Sequence, residues 1–432
     1  MTERQPSDAD RQRQDYPLSE VPPSARKSLT SLSAVLLGFT FFTATMFGGG
    51  SIGTAFPFYP DLVGIMIVGN LLLGLYVGVL GLIACRTGLN TALLSRFGFG
   101  DLGSKIPDLV LGATQIGWYG WGTATLAVVF LRLSGLEESA AMHDPLLYAL
   151  MVVFGGAFCW TAYIGYRGLE VLSIVAVPLM TILLLVSLGT AFSEAGGWQG
   201  LGEIVPSTTM SVGTAITIVF GTFVSGGTQA TNWTRFAASD AHAVGASLAA
   251  FFVGNGLMIL TGAIGALVYQ QPDVVDVLVL QGLLVLGVAM LFLNIWTTQD
   301  NTIYNFSAVG CNALRTSNRR LVTLGGAAIG TVLALLRIDL YLVPFLLLLG
   351  TFIPPIGGVI MADYFYKHRG LYPTLATARI ERFNVAGLAG YALGCAVAWF
   401  SPGIPPINGI AAAVAGYVLV DRLADRRVPR SA

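Results

Sequence analysis

The chain has 432 residues, of which 54% are hydrophobic and only 11% are charged, and its 23 Lys and Arg residues balance its 23 Asp and Glu residues. Soluble domains carry about 25% charged residues, so this composition excludes a soluble globular protein. The mean hydropathy of +0.72 also excludes a soluble enzyme with one membrane anchor. The neutral net charge argues against a nucleic-acid partner. We therefore expect an all-α integral membrane protein.

The two ends of the chain are polar, and we expect residues 1–28 and 422–432 to be tails, the first of them disordered. Between the tails, apolar stretches close to the roughly 20 residues that cross a bilayer predict twelve transmembrane helices. Their approximate positions are 30–55, 62–85, 108–134, 146–166, 169–193, 209–230, 243–269, 283–313, 321–337, 340–362, 384–400 and 407–420.

The distribution of Lys and Arg predicts the orientation of these helices. Short cytoplasmic loops carry an excess of basic residues. When both termini are placed in the cytoplasm, only Arg132 and Arg337 of the 23 basic residues fall on the other side. The sequence therefore predicts a multi-pass protein with both termini cytoplasmic.

Spans 1 and 6 have unusual centres. Residues 38–50 and 220–227 each combine phenylalanine, hydroxyl residues and a glycine cluster at membrane depth. Glycine weakens a helix and allows it to unwind where protein surrounds it, so we predict that helices 1 and 6 are discontinuous. The alternative is that these glycines serve close helix packing.

A constant offset between similar clusters predicts an internal repeat. Phe42 and Phe223 are 181 residues apart, and Gln115 and Asn294 are 179 apart, which corresponds to about five spans. Because five is odd, the second copy crosses the membrane in the opposite direction, as in many secondary transporters. We predict inverted repeats at 29–193 and 206–364, with accessory spans at 383–421.

Span 3 carries a candidate ligand site at Gln115 and Trp118. The two residues are three apart, so they lie on the same helix face and offer a two-sided amide beside a flat indole. This pair suits a planar solute that forms hydrogen bonds. The alternative is that Trp118 is an interfacial anchor, although it lies well inside the span.

Span 8 carries a candidate cation site. Asn294, Thr297 and Thr298 have the spacing i, i+3 and i+4, so a backbone carbonyl and two hydroxyls converge on one face. Hard monovalent cations bind such neutral oxygens, and an unwound span 1 could add the carbonyls of Phe42 and Thr45. The alternative is that the hydroxyls bond back to their own helix.

Six sequence runs resemble bacterial cytosine permeases of the nucleobase:cation symporter-1 family. The resemblance extends from about residue 21 to residue 420, and GxTQxGW with LNIWTT is its most specific part. The runs are VPPSARKS (21–28), GTAFPF after GGGSIG, GATQIGWYGWG (112–122), GTFVSGGT (221–228), LNIWTTQDN (293–301) and IPPIGGVIMADY (353–364). The resemblance implies a five-plus-five inverted repeat of the leucine-transporter type and nucleobase uptake coupled to sodium.

The resemblance also implies roles for individual residues. Trp118 and Phe223 would sandwich the base, Gln115 and Ser225 would hydrogen-bond to it, and Gly226 would offer a backbone amide. Sodium would be held by Asn294, Thr297 and Thr298 of span 8 and by span 1, where Phe42 is the best-matched carbonyl.

Two positions depart from the family pattern and are expected beside the base. Gln299 stands where these permeases carry Asn, and Thr222 stands where Ser is usual. The longer Gln299 amide would move its contact with the base, so the substrate class follows more firmly from the resemblance than the individual base does.

With this resemblance, the sequence predicts a sodium:nucleobase symporter of the bacterial inner membrane, with cytosine as substrate and sodium as coupling ion. We expect contact with membrane lipid and no obligatory protein partner. One alternative is a carrier of hydantoin, allantoin, a purine or a thiamine-precursor pyrimidine. Another is proton coupling through Asp300. An integral-membrane enzyme is disfavoured, because no HExxH motif, paired carboxylates or histidine at membrane depth is present.

Overall fold

A computed structural model of the chain describes residues 16, 18–133, 144–164, 166–316 and 318–427. Throughout these residues the regular elements are helices, and the only pairing of β type is an isolated bridge between Lys27 and Ala237. The all-α prediction is therefore confirmed. The predicted tail residues 1–15, 17 and 428–432 lie outside the described residues.

Nineteen α-helices are present in the described part of the chain. The first eight, α1 to α8, are Leu29–Thr40, Thr43–Gly53, Val63–Thr87, Thr91–Phe99, Lys105–Leu133, Pro145–Ile164, Tyr166–Glu194 and Gly197–Glu203. The other eleven, α9 to α19, are Val212–Thr228, Thr231–Thr234, Asp240–Leu248, Asn255–Tyr269, Val274–Leu280, Leu284–Leu314, Arg319–Leu335, Leu342–Phe352, Pro354–Met361, Val385–Phe400 and Pro405–Arg427. Short π-helical or 3₁₀ turns occupy Pro23–Ala25, Phe58–Leu62, Ala249–Gly254, Ile338–Tyr341 and Ala362–Lys367.

Four of the described helical segments are long and apolar enough to cross a membrane unaided: Phe58–Thr87, Asp240–Tyr269, Ile338–Lys367 and Pro405–Ala424. The number rises to six if two bent helix pairs each count as one span. These segments make the chain a multi-pass membrane protein. The number twelve and the repeat boundaries stay predictions.

The two predicted interruptions have different outcomes. Helices α1 and α2 meet at a 57° bend, so span 1 is broken. Helix α9, in contrast, runs without interruption through residues 220–227 and ends only at Thr228. No break therefore lies within 220–227, although Gln229 and Ala230 separate α9 from the short helix α10, and the discontinuity of span 6 stays a prediction. A Cβ on Gly226 would lie 2.5 Å from the Phe39 ring, which shows that this glycine permits close packing.

The glycines of α2 also serve packing. A Cβ on Gly49 would lie 2.1 Å from the carbonyl oxygen of Ile259, and one on Gly53 would lie 2.0 Å from that of Ala263. Gly262 of α12 approaches α2 in the same way. The two backbones can approach this closely only because Cβ atoms are missing from both helices. Helix α2 is thus packed closely against α12 at Gly49 and Gly53, whereas the break precedes its first residue, Thr43.

Residues 18–27, here termed the N-terminal strap, lie against the helices, whereas the disorder expected for the tail 1–28 stays a prediction. Val21 is 3% exposed and its N–H donates to the Gly88 carbonyl at 3.0 Å. Nη1 of Arg26 donates to the carbonyls of Cys85, Arg235 and Ala237 at 2.8, 2.8 and 3.1 Å. The strap therefore connects the end of α3 to the turn after α10.

Candidate functional site

A side chain from α14 forms hydrogen bonds with the first residue after the break in span 1. Phe41 and Phe42 leave the helical conformation, and Phe42 precedes α2 without offering a side-chain cap. Oδ1 of Asn294 accepts hydrogen bonds from N of Thr43 at 2.6 Å and from its Oγ1 at 2.8 Å. Because the first N–H groups of a helix have no partner within it, Asn294 acts as the cap of α2.

Aromatic side chains gather around this break. The Phe42 ring centroid lies 5.3 Å from that of Trp118 and 6.1 Å from that of Phe223, with the rings close to perpendicular in each pair. Phe39 meets Phe223 edge-on at 5.1 Å. Nε1 of Trp118 donates to Oγ of Ser225 at 3.1 Å. Helices α1, α5 and α9 are thereby brought together at one point.

A small cavity of about 10 Å³ lies among these rings. Its lining consists of Phe39, Phe42, Gln115, Trp118, Thr222, Phe223, Ser225, Gly226, Thr298 and Thr302. Such a volume is about the minimum that holds one water molecule. A planar heterocycle therefore enters only if the rings and the Trp118–Ser225 hydrogen bond move apart.

Gln115 is the polar group of the cavity that has no hydrogen-bond partner. It is 1% exposed, and neither Nε2 nor Oε1 of its amide has a partner within the described residues. Leaving such a buried polar group unpaired costs about 1–3 kcal/mol, so the orphaned amide marks a place where a ligand supplies the missing hydrogen bonds.

The candidate cation ligands of α14 are close together, but their hydroxyls bond back to the helix, as the alternative reading anticipated. Oγ1 of Thr297 and of Thr298 donate to the Asn294 carbonyl at 2.9 and 3.1 Å. Oγ1 of Thr298 also lies 3.4 Å from the carbonyl of Phe41. Neutral oxygens from α14 and from the break therefore converge at Thr298, without the charged ligands that divalent ions prefer.

The structure assigns different contacts to the two span 1 residues expected at the cation site. The Phe42 carbonyl accepts the N–H of Thr45 at 2.9 Å, while the Phe42 ring lines the cavity. Oγ1 of Thr45 donates to Oδ1 of Asn255 at 3.0 Å. The carbonyl that meets Thr298 belongs to Phe41, which sequence reasoning missed. Its position directly before the break was the available signal.

The two departures from the family pattern differ in their position relative to the cavity: Thr222 lines it and Gln299 does not. Thr222 lines the cavity, and its Oγ1 accepts a hydrogen bond from Nδ2 of Asn255 at 3.2 Å. The same Nδ2 lies 2.8 Å from Oδ1 of Asn70, so a buried polar network supports this wall. Gln299 is absent from the lining of this small cavity, and its Oε1 has no hydrogen-bond partner within the described residues, so its contact with the base stays a prediction.

Two lining residues were missed by sequence reasoning. Thr302 follows Thr298 by four residues and shares its helix face, so helical periodicity was the signal that would have found it. Phe39 precedes Phe42 by three residues, but the bend between them hides that relation in the sequence. Among the described residues, no group of three or more His, Cys, Asp or Glu side chains could hold a metal ion.

Comparison with known proteins gives three kinds of match. The sequence profile of the permeases for cytosine/purines, uracil, thiamine and allantoin matches residues 20–419. A cytosine permease of Escherichia coli (strain K12) is 38% identical over 407 residues, covering 94% of each chain.

Among solved structures, Mhp1, a nucleobase-cation-symport-1 family transporter in a closed conformation with bromovinylhydantoin bound, has a TM-score of 0.79 at 18% identity. The match covers 95% of this chain and 96% of that one. A sodium-coupled sialic acid symporter in a substrate-bound outward-open state has a TM-score of 0.65 at 11% identity, with 92% and 90% coverage. These two similarities establish the fold.

Proposed function

Since the chain belongs to the family of permeases for cytosine/purines, uracil, thiamine and allantoin, we propose that it carries a nucleobase, cytosine above all, into the cell together with sodium. The relative from Escherichia coli is a cytosine permease, and the relatives are permeases and not enzymes. We further propose the bacterial inner membrane as its location, with both termini cytoplasmic, from the distribution of Lys and Arg.

The orphaned amide of Gln115 is the observation that carries this proposal. A primary amide donates and accepts at once, and one edge of cytosine presents an amino donor beside a ring-nitrogen acceptor. A base bound at Gln115 would satisfy both buried atoms of the amide. An apolar ligand would leave both without a partner, which disfavours it.

Stacking supplies the second part of the binding energy. Trp118 and Phe223 reach the same small cavity from α5 and α9. Every nucleobase has a π-face, and its stacking on an aromatic side chain contributes about 1–3 kcal/mol. Insertion of the base between the two rings would displace the Phe42 ring and free Ser225 Oγ from Trp118. Recognition thereby involves the broken span 1.

Sodium coupling is supported by the oxygens around Thr298. The Asn294 carbonyl, Oγ1 of Thr298 and the Phe41 carbonyl are neutral, as sodium ligands in proteins commonly are, and the sialic acid neighbour is itself described as Na⁺-coupled. An ion there would connect α14 to the break beside the cavity. If ion and base both favour the same closed conformation, each raises the affinity for the other by the same factor.

Replacing Gln115 tests the hydrogen-bonding role. We expect Gln115→Ala to weaken cytosine binding about 5- to 150-fold, since a polar edge of the base loses its partner in a dry site. Gln115→Glu keeps the shape but removes the donor, so it should change the order of preference among bases. Competition of unlabelled bases with labelled cytosine measures both effects.

Gln281→Ala is the matched control, because Gln281 forms hydrogen bonds with Ser187 and does not line the cavity. Its affinity and base preference should equal those of the wild type. Unchanged competition profiles in both Gln115 variants would remove this amide from the base site.

The function itself is tested by the thermal stability of purified protein against a panel of bases, each with and without sodium. Stabilisation by cytosine that increases with sodium supports the proposal, because a ligand that binds only the folded state raises its stability. Stabilisation by hydantoin or allantoin and by none of the bases would reassign the substrate.

A further inference from the structure

Gln299 of α14 holds the backbone of α5 at the residue that carries the indole. The side chain is fully buried. Its Nε2 donates to the carbonyl of Trp118 at 3.1 Å and to that of Tyr119 at 3.3 Å. Both acceptors lie in the interior of α5, where carbonyls already accept bonds along their own helix. The amide therefore adds a bond between two helices at this point.

Space for this amide is provided by Gly122, one turn beyond Trp118. A Cβ on Gly122 would lie 1.7 Å from Nε2 of Gln299 and 2.9 Å from its Cδ. No real Cβ contact is this short, so any larger residue at 122 would force the amide away. The long side chain at 299 and the missing side chain at 122 are thus sterically matched.

The indole is consequently held from two sides. Gln299 of α14 fixes the Trp118 backbone, and Ser225 of α9 accepts from its ring Nε1 at 3.1 Å. Because the position of a stacking ring depends on both its backbone and its rotamer, loss of the Gln299 contact would shift or loosen the indole.

We propose that Gln299 is a positioning residue that sets the place of the Trp118 ring through the α5 backbone, with Gly122 as its steric complement. The proposal rests on the proposed function in one respect: it assigns the consequence of this positioning to base affinity. Gln299 does not line the small cavity, although its Oε1 has no hydrogen-bond partner within the described residues. A residue that acts through Trp118 lowers affinity for all stacked bases alike when it is replaced, whereas a direct ligand changes the preference among them.

The first test needs no ligand. The fluorescence of Trp118 is obtained as the difference between each protein and its Trp118→Phe counterpart. Gln299→Met, which keeps the length but removes the amide, should move this emission to longer wavelength, and Gly122→Ala should do the same. Gln281→Met and Gly325→Ala are matched controls, since Gln281 contacts Ser187 and a Cβ on Gly325 meets open space.

The second test measures binding. Gln299→Met should weaken cytosine binding about three- to tenfold, a part of what complete loss of the stacking ring costs. In a Trp118→Ala background the same change should alter affinity less than about twofold, because coupled residues are not additive. Relative affinities for cytosine and its analogues should stay constant in Gln299→Met.

Opposite results overturn the proposal. An unchanged Trp118 emission in Gln299→Met excludes positioning, and Gln299→Met suffices for this if Gly122→Ala fails to fold. A loss of affinity that persists in full without the indole, or a changed preference among bases, makes Gln299 a direct ligand. If the wild type binds no base at all, the proposed function fails, while the emission spectra still decide the positioning role.

Discussion

Replacement of Trp118 by alanine is expected to weaken cytosine binding about 5- to 150-fold, the loss that corresponds to about 1–3 kcal/mol of stacking. The indole forms one wall of the cavity and is 4% exposed. Trp118→Phe should give a smaller loss, because it keeps an aromatic face for stacking, although a smaller one than the indole. Equilibrium binding of labelled cytosine to purified protein measures both.

Trp160→Ala is the control for the loss of an indole, since Trp160 is 66% exposed and lines no part of the cavity. Its affinity should match that of the wild type. Each variant also needs an unchanged melting temperature in the absence of ligand. Tight cytosine binding by a folded Trp118→Ala protein would contradict the role of Trp118 as a stacking wall.

Thr298→Ala is expected to abolish the effect of sodium on cytosine affinity. In the wild type we expect sodium to raise this affinity by roughly 5- to 150-fold, the usual range of coupling between two sites. The variant removes the hydroxyl that lies between the Asn294 and Phe41 carbonyls, so the ratio of affinities with and without sodium should fall to about one. Titrations at fixed pH and ionic strength provide this ratio.

Two variants support the interpretation of that ratio. Thr298→Ser keeps the hydroxyl and should retain most of the sodium effect. Thr351→Ala removes a buried hydroxyl that bonds back to Leu347 on α16 outside the cavity, and it should leave the ratio unchanged. The ratio is the proper readout, since Thr298 also lines the cavity and its loss can change affinity by itself.

Proton coupling predicts that transport depends on pH and on an ionisable residue and not on sodium. Thr298 and Asn294 carry no titratable group, whereas Asp300 on the same helix is ionisable and fully buried. If sodium is the driving ion, Asp300→Asn should keep sodium-linked binding even if transport slows. Uptake that ignores sodium, follows an imposed pH gradient and is lost in Asp300→Asn would make the protein a proton symporter.

The fold class and most of the side chains that line the cavity were predictable from the sequence. Composition alone excludes a soluble protein, and helical spacing places Gln115 beside Trp118. The glycine clusters were harder to interpret, because a missing Cβ both weakens a helix and allows another element to approach. In α9, Gly226 lies against the Phe39 ring, and only the packed neighbour distinguishes the two roles.

Gln299 shows a different limit of sequence reasoning. The residue next to Thr298 points about 100° further around an α-helix, away from the face that Thr298 and Thr302 share. That rotation indicates that Gln299 leaves the cavity, but its partner depends on which helix packs there. The contact of Gln299 with the Trp118 carbonyl can be identified only from the tertiary structure. The same holds for the finding that the carbonyl opposite Thr298 belongs to Phe41 and not to Phe42.

The N-terminal strap is part of the folded unit of this protein. The Cys85 carbonyl lies in the last turn of α3, where helix carbonyls lack a partner of their own, and Arg26 supplies one while also binding Arg235 and Ala237. A hydrogen bond from a charged donor contributes about 1.5–3 kcal/mol, and here the two hydrogens of Nη1 are shared among three carbonyls. A chain that begins at its first membrane helix would leave these three carbonyls without that donor and remove one of the connections between α3 and the turn at 235–237. We therefore expect the minimal folding unit to include the strap and not to start at Leu29.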